Sequence, residues 1–560
     1  MFGAMRNFII LMVTVVLACG DDGAGPSANV ASILINPSAA TLGVGQSQQF
    51  NAAALDASDG VLSGARVSWT VGSTSIATVD QTGRVTAVAA GATKITASSG
   101  GRSASANLTV SPGQSATGDV MLNPGVAYQT MHGWEATAWV GQWACAGVPF
   151  PTEIYQRYRD PLFDAVFDLG INRIRLEVRA SAERPDDPFG AFRDGSITEQ
   201  QYTSVWYEAI NDNTNPGSIN ASGYNFTEMD LAVETAVLPL KQRLEAAGEQ
   251  LYLNLNFIKF KAGGLDFRNN PAEYAEFMVA TFQHLRDRWN LVPDAVEIIL
   301  EPDNTEGGWS GTQIGNAIVA TANRLRTAGF TPEFIGPSGM TASRALELFD
   351  EMVAVSGVPQ VISELAYHRY GTAPSAQLLQ SIAQRGIQYG VRTAMTEHIG
   401  SGYVHLHEDL KLARNSAWQQ YTLAGCAPND TGGRHFLIDA SNPTNPIVRL
   451  ASRSQYLRQY FKYIRRGATR VDATTGRSGL DPLAFINSNG KYAVVVKSGG
   501  ASNFTIGGLP PGRYGVSYTT GPDDHTVSQF GVELPEIVLE AGKALSTGIP
   551  GRGVLTVYAK

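Results

Sequence analysis

Between roughly residues 150 and 400 the chain alternates short apolar runs with longer amphipathic stretches, and this alternation restricts the fold more than any other feature. Strand-like runs occur at 171–178 (Ile-Asn-Arg-Ile-Arg-Leu-Glu-Val), 251–258 (Leu-Tyr-Leu-Asn-Leu-Asn-Phe-Ile), 296–300, 333–337, 361–368 and 391–396. Helical patterns over 153–169, 229–248, 272–289, 312–328 and 374–389 separate them. Strand–helix alternation at this spacing predicts a parallel sheet covered by helices. With a first strand near 131–135 and a poorly marked last one, the pattern fits a (β/α)8 TIM barrel. A doubly wound sheet is the alternative.

Two glutamates occupy chemically loaded positions in this pattern. Glu301 ends Val-Glu-Ile-Ile-Leu-Glu-Pro-Asp-Asn (296–304), and Glu397 ends the run in Arg-Thr-Ala-Met-Thr-Glu-His (392–398). Strand C-termini of a barrel converge on one mouth. Two carboxylates facing each other there are the equipment of glycoside hydrolysis. The plainer reading of either one alone is a strand-end carboxylate in an ion pair. The chemistry needs no metal or other cofactor, and the pairing of His405 and His407 with Glu408 is a weak pattern for a metal site.

The remaining sequence divides into further modules. Arg6 precedes the apolar stretch Phe8–Leu17, followed by Leu17-Ala18-Cys19-Gly20. This reads as a secretory signal over 1–19. Its end resembles a bacterial lipobox, which would make Cys19 a lipid anchor in the cell envelope and 20–30 a tether; a plain signal peptide is the alternative. Residues 31–111 carry short alternating strands at 32–35, 48–52, 67–70, 77–80, 84–88, 94–97 and 106–110, the pattern of a sandwich. The residues Asn36-Pro37, Leu42-Gly-Val-Gly45, Phe50, Trp69, Ala77 to Gly91 and Ile95-Thr-Ala97 resemble the bacterial group 2 immunoglobulin-like domain. Trp69 is expected in its core. A linker at 112–118 leads to the barrel, 119–455, and then to a C-terminal β-sandwich, 456–560, which begins directly after a helix at 453–466 and is expected to pack on the barrel. The formal net charge of −8 and the lack of a basic run argue against a nucleic-acid partner. Cys145 and Cys426 would form one disulfide in an oxidising compartment or remain two buried thiols.

Barrel and sandwich together resemble glycoside hydrolase family 30 or a near relative in clan A. Tyr128-Gln-Thr-Met-His-Gly-Trp-Glu-Ala-Thr137 resembles that family's opening strand, and Tyr460-Phe-Lys-Tyr-Ile-Arg-Arg-Gly-Ala-Thr-Arg470 its re-entry into the sandwich. The resemblance implies Glu301 as acid/base and Glu397 as nucleophile of a retaining enzyme on a β-linked polysaccharide or oligosaccharide. It implies Arg175 as the cation beside Glu397, and His368, Tyr367 or Tyr370 as groups near the nucleophile. The acid/base is expected to be partly desolvated, with a raised pKa. One departure stands out: Leu300 occupies the place of the family's asparagine, which donates to the sugar 2-hydroxyl. Asn254, Asn256 or Asn304 would have to supply that contact. Trp134 and Trp309 are the leading candidates for sugar platforms, with Trp139, Trp143 and Trp206 behind them. Leu300 also keeps open a non-catalytic carbohydrate-binding or adhesive protein, and a transglycosylase differs from the hydrolase only in its acceptor.

Overall fold

The computed structural model describes residues 30–560 except 44–45, 59, 63, 89–90, 112–117, 142 and 427–428. The proposed signal peptide, Cys19, nearly all of the tether and most of the linker lie outside the described residues. Among those described, no helix is long and apolar enough to cross a membrane. The chain separates into two compact units, 1–113 and 114–560.

In the first unit a four-stranded sheet (39–43, 102–111, 91–99 and 68–71, in spatial order) is accompanied by a three-stranded and a two-stranded sheet. Their inward residues, including Phe50, Ile95, Ala106 and Leu108, form one core, and Trp69 packs half-buried against it. The alternation of buried and exposed positions along 102–111 is that of a sandwich strand with one wet face.

The second unit is built on a closed parallel barrel. Its strands are β1 (Gly133–Val140), β2 (Arg173–Arg179), β3 (Tyr252–Ile258), β4 (Ala295–Glu297), β5 (Glu333–Gly339), β6 (Ile362–His368), β7 (Arg392–Glu397) and β8 (Ala417–Gly425). Neighbours pair in that order, and β8 pairs back onto β1. The alternating side chains of β2 explain its place. Ile174, Leu176 and Val178 join the apolar core shared with the surrounding helices. Arg173 and Arg175, two apart and therefore on the opposite face, meet partners from strands across the barrel. Arg173 Nη1 donates to Glu364 Oε2 on β6 at 2.8 Å, and its Nε lies 3.0 Å from Glu135 Oε2 on β1. Asn254 of β3 donates to Glu135 and to Glu297 of β4 at 3.0 and 2.9 Å. The barrel interior therefore carries these charged pairs beside a small apolar cluster of Tyr252, Ala295, Ile335 and Ala366. Cys145, just after β1, forms a disulfide with Cys426, just after β8 (Cα–Cα 5.2 Å).

The C-terminal domain is the sheet-rich domain expected after the barrel. It is one continuous sheet of nine strands among the described residues, wrapped on a core that includes Val120, Leu122, Phe504, Ile506, Val516 and Leu555. The strand Val120–Thr130, placed by sequence at the start of the barrel, belongs to this sheet. It pairs antiparallel with Thr469–Thr475 and parallel with Ser502–Gly507. Chain thus enters and leaves the barrel through the same sheet.

Trp134 sits at this seam. Its ring stacks on Phe461 (centroids 4.3 Å, planes 11° apart) and its indole N–H donates to Ile464 O at 2.7 Å. With 1% of its surface exposed it is a structural anchor and cannot be a sugar platform. Gly170 lies against the same segment in a left-handed conformation (φ 109°), where a Cβ would stand 2.3 Å from Phe461 O, so no larger residue fits. Trp134→Ala is expected to cost about 3–5 kcal/mol. In urea, its barrel and β domain should unfold together at a lower midpoint; separate transitions would show that the seam does not couple them.

Candidate active site

Glu301 follows β4 with a left-handed backbone (φ 45°), an unusual conformation for a residue with a side chain. Its N–H donates to Ser338 O at 3.2 Å, and Leu300 N to Phe257 O at 3.0 Å, so the strands on either side hold the turn. Glu397 is the last residue of β7. Both carboxylates are buried to 6% exposure. One oxygen of each, together with a ring nitrogen of His368, falls within 4.8 Å of one another.

The two carboxylates have different surroundings. Arg175, fully buried, donates through Nη2 to Glu397 Oε2. Its Nε donates to Thr137 Oγ1 at 3.1 Å and its Nη1 to Thr396 O at 3.3 Å, which fixes the guanidinium plane. Tyr370 OH donates to Glu397 Oε1 at 2.9 Å. Burial opposes the charge on Arg175, but Glu397, Glu297 and Glu177 outweigh it and keep its pKa above the ordinary value. Burial and the Glu397 charge push the Tyr370 phenol up, so it remains a donor.

Glu301 Oε1 lies 3.0 Å from His368 Nδ1, and Glu301 Oε2 accepts from Asn304 Nδ2 at 2.8 Å. Burial acts to raise its pKa as expected, yet the hydrogen bond and charge of His368, with the Asn304 bond, overcome it and leave the carboxyl below its ordinary value. The expected desolvation is present but the expected rise in pKa is not, because His368 and Asn304 bond the carboxylate. Glu301, His368 and Glu397 are close enough to share a metal ion, but Arg175 already lies against Glu397, and a second cation there would be repelled. His407 serves packing: Nδ1 lies 2.9 Å from Tyr460 OH, and Nε2 is 3.3 Å from Asp481.

A cleft of about 510 Å³ adjoins these groups at the C-terminal ends of the strands, lined by Trp139, Glu177, Trp206, Tyr207, Leu300 and Tyr421 among others. A larger space of about 910 Å³ lies between Lys411–Arg414 and residues 470–483; neither glutamate lines either space, but Leu300, next to Glu301, and Glu177, beside Arg175, line the smaller one. Of the sequence candidates, Arg175, His368 and Tyr370 meet the glutamates. Trp309 does not: it is 3% exposed and packs edge-on to Tyr274 in the barrel core. The aromatic walls of the cleft are Trp139, Trp143, Trp206, Tyr207, Phe260 and Tyr421. Asn256 is fully buried, its amide unpaired among the described residues. Asn254 is committed to Glu135 and Glu297, so only Asn304 touches a site glutamate.

Glu177 was missed. Its Oε2 accepts from Trp139 Nε1 at 2.9 Å, its Oε1 lies 3.5 Å from Arg175, and burial raises its pKa against the pull of Arg175 and Arg179. The signal was present: Glu177 is two residues from Arg175 on one strand and so shares its face.

Residues 29–110 match the family model described as the bacterial Ig-like domain (group 2). No curated protein matches the chain. Among solved structures, a GH30 endoxylanase from Clostridium papyrosolvens C71 is similar at 16% identity, covering 79% of this chain and 100% of its own, with a TM-score of 0.54. The catalytic domain of GH30 xylanase C from Talaromyces cellulolyticus aligns at 15% identity over 79% and 99% of the two chains, TM-score 0.56. An endo-β-1,6-glucanase aligns at 15% over 79% and 94%, TM-score 0.53. The fold of residues 114–560 is that of glycoside hydrolase family 30. Within this fold Arg175 and Glu397 form a buried ion pair at the barrel mouth. Arg175→Met, which leaves Glu397 and Glu177 without their cation, is expected to lower stability by about 3–5 kcal/mol in equilibrium denaturation. Adding Glu397→Gln should restore part of the loss; strict additivity would show that the two residues do not interact.

Proposed function

We propose that the protein is a retaining glycoside hydrolase acting on β-linked polysaccharides or oligosaccharides. The observation that carries this reading is the approach of Glu301 and Glu397 within 4.8 Å, each in a different electrostatic environment. Retaining enzymes place the two carboxyls about 5–5.5 Å apart, whereas inverting enzymes leave about 6.5–9.5 Å for a water.

In the proposed cycle Glu397 Oε attacks the anomeric carbon and the glycosidic C–O bond breaks. Glu301 gives its proton to the departing oxygen. It then takes a proton from water, whose oxygen attacks the same carbon and releases Glu397. Arg175 and Tyr370 orient Glu397 for attack. A saccharide filling the cleft excludes water from Glu301, strengthening the upward effect of burial on its pKa at the stage when it must carry a proton. Trp139, Trp206, Tyr207 and Tyr421 offer ring faces for stacking. The printed activities of structures with this fold, xylanases and an endo-β-1,6-glucanase, support polymeric β-glycans as the class. Leu300 supplies no donor beside the acid/base, which favours a binding protein on a silent barrel as the second reading.

Reducing-sugar release from xylans, β-glucans and galactans separates the two. Glu397→Gln and Glu301→Gln should each lower release by about 10³-fold or more while retaining glycan binding, and azide should restore turnover to a Glu397→Gly variant with inverted product configuration. Glycan binding without release by the wild type would favour the binding protein.

We also propose that the chain is secreted and held at the cell envelope by a lipid on Cys19. The full-length protein should partition with membranes and incorporate labelled palmitate, and Cys19→Ser should abolish both. A membrane-bound Cys19→Ser protein would sink the proposal.

A further inference from the structure

Arg175 Nη2 serves two carboxylates. It donates to Glu397 Oε2 and lies 3.5 Å from Oε1 of Glu177, two residues further along β2. Glu177 and Glu397 are therefore neighbours around a single nitrogen. The other oxygen of Glu177 is taken, since Oε2 accepts from Trp139 Nε1 at 2.9 Å. Among the described residues Oε1 has no closer donor than that Arg175 nitrogen. The Glu177 side chain is 8% exposed, and it lines the cleft. A nearly buried carboxylate oxygen short of a donor is costly to maintain, and the cleft is the direction from which a donor can arrive.

The surroundings narrow what that donor is. Leu300, beside Glu301, and Ile258 and Ile399 line the same cleft with carbon-only side chains. They give a ligand's hydroxyls nothing to bond. Glu199, the other carboxylate of the lining, is exposed on a short helix over 199–204. Trp139 also lines the cleft, so its indole N–H ties a stacking face and an acceptor into one unit. Polysaccharide recognition uses this combination, a ring face for the sugar's C–H surface and an oxygen for a hydroxyl at its edge.

We propose that Glu177 binds the sugar seated at Glu397, Oε1 accepting a hydrogen bond from a ring hydroxyl, and that this contact selects neutral glycans in which that hydroxyl is free. The placement at Glu397 rests on the glycosidase reading, but the contact is a binding event and is measured without turnover. An ionised carboxylate only accepts. A hydroxyl capped as an ether or ester has no hydrogen to give it, and the oxygen would be buried without its donor.

The test is calorimetric titration of xylohexaose, cellohexaose and β-1,4-galactohexaose into the full chain carrying Glu301→Gln, which slows hydrolysis and leaves the Arg175–Glu397 pair intact. The same titrations are run after adding Glu177→Gln or Glu177→Asp, with circular dichroism to establish that each variant is folded. In Glu177→Gln the Trp139 N–H takes the amide oxygen, so the cleft receives a donor where it had an acceptor. Glu177→Asp keeps the charge that Arg175 needs and withdraws the acceptor by one methylene. The best-bound hexaose should bind about tenfold more weakly, or worse, to both. Partial O-methylation of that hexaose should weaken binding to the parent more than to Glu177→Gln, the non-additivity of two groups in contact. A wild type that binds in this Glu177-dependent way but releases no reducing sugar would sink the hydrolase reading and support the contact. Two results would overturn the proposal. One is parent-like affinity in Glu177→Asp, which would make Glu177 only a counter-ion to Arg175; the other is that none of the three hexaoses binds the parent.

Discussion

The buried guanidinium of Arg175 is the contact on which the barrel mouth depends. An ion of this size moved into a protein interior incurs a penalty of several kcal/mol, offset only when every donor is satisfied and an opposite charge lies close. Thr137, Thr396, Glu177 and Glu397 provide this from three other strand positions and its own. Because those partners come from β1, β2 and β7, the residue also fixes how these strands face one another. One level deeper, Arg173 does the same between β1 and β6. The arginines of β2 thus act as spokes, and the site inherits its geometry from a charge arrangement that cannot relax without leaving a buried ion unpaired.

The second dependence is on the C-terminal sheet. Strand Val120–Thr130 enters it before the barrel begins, and helix Ser452–Phe461 returns to it afterwards, so the barrel is a long insertion between two neighbouring strands. Trp134 on β1 contacts that return segment directly. Movement of the sheet would be felt at β1 and, through Thr137 on the same strand, at Arg175.

The parts of this design that were legible in the sequence are those where hydrophobic period and chemistry coincide. Strands β2, β3, β6 and β7 have apolar residues facing the helices, and both glutamates terminate such runs. Strand β8 was poorly marked because Gln419 and Gln420 interrupt it; both are fully buried, with their amides bonded to Thr137 and to Ser401 O. Trp134 and Trp309 misled for a related reason, whereas Trp139, Trp143 and Trp206 do line the cleft. A ring in a Gly-rich loop such as Trp309 has the composition of a platform, but burial is decided by the packing of other segments. Trp139 is in the cleft because strand alternation puts it on the face of Thr137, the kind of signal that also marked Glu177. Strand Val120–Thr130 could not be assigned to the distant sheet, since its partners lie hundreds of residues away and local pattern holds no information about pairing.

The disulfide between Cys145 and Cys426, at a sequence separation of 281, makes a covalent ring of most of the barrel. Proteases cut at exposed loops, and within this ring the largely exposed stretch from Asn213 to Ser222 is an obvious target. A single cut there opens the ring but releases nothing: both new ends remain joined through the bridge, and β1 stays beside β8. Nicking and fragmentation are thereby uncoupled, so a cleaved molecule keeps its mouth assembled until the bridge itself is reduced.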